Sequence, residues 1–141
     1  MTHRMPRAAV ALALIAVAGV SLTACSLDSL IWGADGAHVI STTEQLIDAA
    51  SAGDGAAFAC DGAEVEWGES AAWSGLSAEE PEKFVAEHWP EQAEDDPSWS
   101  INLSLPFERV ESATRFPGDV FYRDEAGELC VVDVAWATVI R

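Results

Sequence analysis

The stretch that decides the fold is residues 120–140, VFYRDEAGELCVVDVAWATVI. Two runs rich in β-branched and aromatic residues, Val120–Arg123 and Leu129–Ile140, flank Asp124-Glu125-Ala126-Gly127, which is the spacing of a β-hairpin. In the second run Cys130, Val132, Val134, Trp136 and Ile140 share one face. Leu129, Val131, Ala135, Ala137 and Val139 share the other. A strand apolar on both sides is expected at a central position or in an oligomer contact. Upstream, Trp99, Ile101, Leu103 and Leu105 alternate with Ser100, Asn102 and Ser104, so a strand over 99–105 should turn one face to a core and one to water. Residues 107–117 give no clear element.

Further toward the N-terminus the period changes. Ser41 and Thr42 stand three positions before Glu44 and Gln45, forming overlapping capping boxes, and Leu46, Ala49 and Ala50 follow at helical spacing up to Gly53. This predicts a helix over 42–52, with a further turn over 55–60 capped by Asp54. Ala63, Val65 and Trp67 alternate with Glu64 and Glu66 and read as a strand, and 68–77 reads as loop. Ser77 and Glu80 resemble another capping box. Phe84, Val85, His88 and Trp89 then give an amphipathic helix over 78–89, stopped by Pro90 and followed by an acidic loop, 91–97. The expected fold class is α+β: short N-terminal helices and one amphipathic helix packed on a curved antiparallel sheet, in a single domain over 42–141. The element order, with the segment QLIDAASAGD at 45–54, resembles the nuclear-transport-factor-like (ketosteroid-isomerase-like) cone fold. That resemblance implies a sheet wrapped round its helices with a pocket at the open end.

The chain has 141 residues, half of them hydrophobic, with six tryptophans, enough apolar surface for one small core. Its formal net charge is −17, and all 24 acidic residues lie beyond residue 24. Such a surface repels phosphate backbones, so no nucleic-acid partner is expected.

The first 25 residues carry a separate message. Arg4 and Arg7 precede an apolar run, Ala8–Val20, that is too short to span a bilayer, which is the layout of an export signal. It ends in Leu22-Thr23-Ala24-Cys25, which resembles the lipobox of small bacterial lipoproteins; the surplus of arginine over lysine gives the likeness an actinobacterial cast. The resemblance implies a signal peptide over 1–24 and a diacylglyceryl group on Cys25. It also implies a lipid-anchored tether over 25–41 and a location on the extracytoplasmic face of the cell membrane. Two or more acyl chains hold a protein there stably without any spanning helix. Residues 26–41, interrupted by Gly33 and Gly36, read as a spacer of limited order. Leu30-Ile31-Trp32 is expected to dock on the domain rather than dip into the membrane interface.

With Cys25 acylated, Cys60 and Cys130 remain, and an even pair outside the cell points to a disulfide. Two buried free thiols, or a zinc site shared with His38 or His88, are the alternatives; no CxxC or HxxxH spacing supports the zinc site. Asp133 is the only charge between Glu128 and Arg141. Buried, it would suit general-base work with His88 or Tyr122, as in the isomerases of the resembled fold; otherwise it reaches the sheet rim or pairs with Arg109, Arg115 or Arg123. Glu91, Glu94, Asp95 and Asp96 form a solvated acidic turn with the chemistry, though not the spacing, of a calcium loop. Trp67, Trp73, Trp89 and Trp99 are expected in the core before any glycan platform. No cofactor motif occurs. The expected function is a non-catalytic binding or accessory domain for a small-molecule, glycan or envelope-protein ligand; the alternative is a small enzyme with Asp133 as base.

Overall fold

Backbone pairing in the C-terminal half builds one antiparallel sheet, and a single long helix covers one of its faces. A computed structural model describes residues 25–112 and 115–140; the expected signal peptide lies outside the described residues. The helix is α1 (Cys25–Ser51) and the strands are β1 (Ser77–Lys83), β2 (Trp99–Ser104), β3 (Arg115–Glu125) and β4 (Glu128–Thr138), with a one-turn α2 (Phe107–Val110) between β2 and β3. Short 3₁₀ turns occupy Gly55–Phe58, Ser70–Trp73 and Gln92–Asp95. The sheet order is β1-β2-β3-β4, a meander in which every neighbour is antiparallel. The fold is therefore α+β, a helix on a curved antiparallel sheet.

The hairpin forms as its residues dictate. Ala126 and Gly127 both take positive φ, 57° and 87°, the geometry that matches a two-residue turn to the twist of its strands. The Asp124 carboxylate accepts the Gly127 N–H at 2.8 Å and locks the turn. Register shifts in the β3–β4 pairing, between Pro117 and Asp119 and between Phe121 and Tyr122, bend the strands. β4 lies at an edge of the sheet, not in its centre. Its free edge is capped by the segment ending at Cys60, where Ala59 bridges Val131 in parallel and the Cys60 N–H donates to the Val131 carbonyl at 2.9 Å, and Cys60 packs with Val132 and Phe121 on the outer face.

Two cores result. On the helix side, Val39, Ile40, Leu46, Ile47 and Ala50 of α1 pack on Trp99, Ile101, Val120, Tyr122, Val131 and Val134, with Trp73 fully buried among them. The only side-chain hydrogen bond from α1 to the sheet among the described residues joins Thr43 to Tyr122 at 2.8 Å. The Thr43 hydroxyl spends its one proton on the Val39 carbonyl, so the Tyr122 hydroxyl donates to Thr43. Burial pushes the Tyr122 phenol well above its ordinary pKa, with the Thr43 bond acting in the opposite sense, so it stays a neutral donor. On the opposite side, Cys60, Phe121 and Val132 are buried, with Phe84, Trp89 and Cys130 packed on them.

Several local expectations fail for tertiary reasons. Residues 78–89 are not a helix. Residues 77–83 form the edge strand β1, where Pro81 sits at a bulge and its missing N–H costs nothing. Phe84 and Trp89, which looked like one face of that helix, both meet the Phe121 ring edge-on. Residues 63–67 join no ladder, although Val65 and Trp67 do pack on the core. A Cβ at Gly55 would come within 2.7 Å of the Trp67 ring, so that glycine makes room for the indole. The expected spacer is helical from Cys25, with a kink at Gly33 (φ 75°, ψ 174°), and Val39 and Ile40 are already core.

Replacing Thr43 by Val should cost about 1–3 kcal/mol, the penalty for stranding a buried donor. The double variant Thr43→Val/Tyr122→Phe should recover part of that loss. Urea denaturation of the three variants measures both effects; equal stability of Thr43→Val and the native chain would show that the bond contributes nothing.

Candidate ligand cleft on the outer face of the sheet

Strand alternation sends Trp99, Ile101 and Leu103 into the helix-side core, which leaves Ser100 and Asn102 on the other face. Pairing then brings their neighbours alongside: Glu82 of β1 stands opposite Ser100, and Asp119 of β3 opposite Asn102. With Glu80 and the Trp89 indole these residues line an open cleft of about 270 Å³. The Asn102 side-chain carbonyl accepts the Glu80 N–H at 3.0 Å, replacing a ladder bond lost at the bulge. Trp89 is held from behind by Phe121, with ring centroids 4.9 Å apart and planes at 73°.

The electrostatics of this cleft are one-sided. Burial, and secondarily the charge of Glu82, raise the pKa of Asp119 from 3.8 to about 6. Every described Lys and Arg is engaged elsewhere. Lys83 lies 3.8 Å over the Trp99 ring. Arg115 pairs with Glu66 while stacking on Trp136. Arg123 binds Glu125 and the Asp95 carbonyl, and Arg109 binds the Ser74 carbonyl. Glu80, Glu82 and Asp119 therefore have no cationic side chain to neutralise them among the described residues. Ser100 is only 6 % exposed. Its hydroxyl makes no hydrogen bond to the protein and opens onto the cleft. A larger groove of about 390 Å³ between α1 and β1 is bounded by exposed Glu44 and Asp48, and neither of the buried polar residues among those described, Thr43 and Ser100, lines it.

The residues singled out by sequence fall in different places. Cys60 and Cys130 form a disulfide with Cα atoms 4.8 Å apart, so neither thiol is free for zinc. Asp133 is half-buried and accepts a hydrogen bond from Gln92 Nε2 at 3.1 Å; it pairs with none of Arg109, Arg115 or Arg123. Asp133 stands opposite Phe121, on the outer side, while Tyr122 points into the helix-side core and His88 is exposed in a turn. The three are not brought together into one site. Glu91, Glu94, Asp95 and Asp96 are exposed, and they form no convergent ligand set among the described residues. Trp73 and Trp99 are buried and Trp67 packs on Trp73, whereas Trp89 alone of the four faces the cleft. The cleft residues Glu80, Glu82, Ser100, Asn102 and Asp119 were missed because their convergence needs β1 to be a strand. The signal that could have found them was Pro81, which is poor inside a helix and at home on a sheet edge. No family model matches the chain, and no curated protein or solved structure does either.

The raised pKa of Asp119 has a thermodynamic consequence with a definite sign. A carboxyl that titrates near 6 when folded and near 3.8 when unfolded holds its proton more tightly in the fold, so stability falls as pH rises between those values. Asp119→Asn should therefore stabilise the domain at pH 7.5 by about 1 kcal/mol, the full linkage value being discounted for a half-exposed group. The gain should vanish below about pH 4, where both states are protonated. Thermal melts of both proteins across this range check it; a gain independent of pH would refute the assignment.

Proposed function

We propose that the protein is a membrane-anchored extracytoplasmic lipoprotein whose domain binds a ligand and does not catalyse a reaction. The observation that carries the binding reading is the un-neutralised carboxylate cleft with an unpartnered, nearly buried serine at its floor. Its chemistry suits a small organic cation, an ammonium or guanidinium group. Glu82 and Asp119 supply charge, Ser100 and Asn102 supply oxygen acceptors, and Trp89 supplies an aromatic wall that favours a cation over its ring. A bare divalent ion fits less well, because hard cations need oxygens converging at about 2.3–2.6 Å. No such convergent set forms in the cleft among the described residues. The scattered positions of Asp133, His88 and Tyr122 favour binding over acid–base work.

Three features support the anchoring. The lipobox-like Leu22-Thr23-Ala24-Cys25 follows a basic start and a short apolar run. Among the described residues no helix is long and apolar enough to cross a membrane. The disulfide between Cys60 and Cys130 suits an oxidising compartment.

Cys25→Ala should leave the precursor uncut and unacylated, which mass spectrometry of the membrane fraction reads directly; normal maturation of that variant would end the lipoprotein reading. For the cleft, isothermal titration of the purified protein with spermidine at low salt should show saturable binding with a change in Trp89 emission. Asp119→Asn and Ser100→Ala should each weaken it by about tenfold, the loss expected for one charge-assisted or buried polar contact. Binding that is indifferent to both substitutions would reduce it to non-specific attraction by an acidic surface, and tighter binding of calcium than of spermidine would overturn the choice of ligand class.

A further inference from the structure

The first two turns of α1, up to the kink at Gly33, carry exposed apolar side chains. Leu27, Leu30 and Ile31 are 60 %, 82 % and 60 % exposed. Their spacing, i, i+3 and i+4, places them on one face of the helix. Trp32, at 38 % exposure, closes the row where the chain turns back toward Gly36 and Pro81. The sequence had suggested that Leu30-Ile31-Trp32 would dock on the domain; the positive φ of Gly33 turns the helix so that the first two of these face outward. Elsewhere Phe107 and Val110 form an exposed pair on α2 while Val85 and Ile140 are single side chains, whereas here three large apolar side chains adjoin on one short face.

The position of this face selects its occupant. At 1.5 Å of rise per residue, Leu27 to Ile31 lie about 3–9 Å along the axis from Cys25, the residue that begins the helix. Acyl chains on that thiol would bring the apolar face within the roughly 5–10 Å depth at which interfacial helices sit. A tryptophan at the domain side of the row matches the preference of indoles for the headgroup level. The strongly negative charge of the chain argues against an anionic partner surface and for electrically neutral lipid.

Resting on the lipoprotein reading above, we infer that the Leu27–Leu30–Ile31 face is a membrane seat: it inserts into the headgroup–acyl boundary beside the anchor of Cys25 and fixes the orientation of the domain on the bilayer. The Gly33 kink is then the elbow between seat and domain, and the lipid does not hold the domain on a loose string.

The test uses the processed protein extracted from membranes and reconstituted into phosphatidylcholine vesicles, with and without phosphatidylcholine brominated on its acyl chains. Mass spectrometry first establishes the acyl group on Cys25. Emission is then compared with that of Trp32→Phe to isolate the Trp32 contribution. Bromolipid should quench that contribution by about half or more if the indole sits at the interface. In the variant Leu27→Ser/Leu30→Ser/Ile31→Ser, whose sites are all exposed and so leave the core intact, the quenching should largely disappear while the acyl anchor remains. If Cys25 carries no lipid, the anchor reading falls and the seat falls with it. If Cys25 is acylated but Trp32 is unquenched, or quenched equally in the triple variant, the seat alone is overturned. Protection of Trp32 in a detergent-solubilised dimer, seen by sedimentation, would likewise overturn it and assign the face to a second copy of the chain.

Discussion

The structure depends on one contact above others, the burial of the second half of α1 against the middle of the meander. A four-stranded antiparallel sheet with a single helix has only one large apolar layer, and the row Val39, Ile40, Leu46, Ile47 and Ala50 supplies the helix side of it. Dispersion and the hydrophobic effect fix how much area is covered but are nearly indifferent to small slides of the helix along its axis. The Thr43–Tyr122 hydrogen bond is not indifferent. Both groups are buried, both have only each other and the Val39 carbonyl as partners, and a slide of one residue would leave a phenol unsatisfied. A polar pair inside an apolar layer thus sets its register.

What happens on the opposite face follows from what the helix cannot cover. Half of that face is closed by the chain itself: the disulfide ties the segment after the first 3₁₀ turn to β4, and Phe84 and Trp89 fold back over Phe121. The other half, where β1, β2 and β3 run side by side, stays open. Its polar residues are those that strand alternation forces outward, and three of them are acids in a chain with few basic groups, the described ones all engaged elsewhere. The cleft is therefore a local concentration of the imbalance visible in the whole composition, given shape by the sheet and a wall by Trp89.

The helix also links the two functional proposals. Its C-terminal portion is the core of the domain, and its N-terminal portion begins at the cysteine on which anchoring would depend. Gly33 separates the two roles in a single residue, since a positive φ there interrupts the helix without a long flexible linker. If the proposed seat inserts, such an elbow would hold the open sheet face at a set angle to the surface.

The sequence by itself determined the features whose information is local. The hairpin over 120–140, the alternating strand from Trp99 and a helix through Leu46–Ala50 are all present, because period and turn chemistry are properties of neighbouring residues, but Ser41 and Thr42 lie within α1 and cap nothing, since the helix already starts at Cys25. The pairing of Cys60 with Cys130 was also legible, from their number and the expected compartment. The tertiary structure alone decided the rest. Residues 77–83 carry a helix-like start signal, and they become a strand only because β2 offers an edge about 20 residues away. With that choice Glu80 and Glu82 arrive beside Ser100 and Asp119, a convergence set by register across three strands and by no motif. Whether Leu27, Leu30 and Ile31 are covered was equally undecidable from their order, because one backbone angle at Gly33 sets which way that face points.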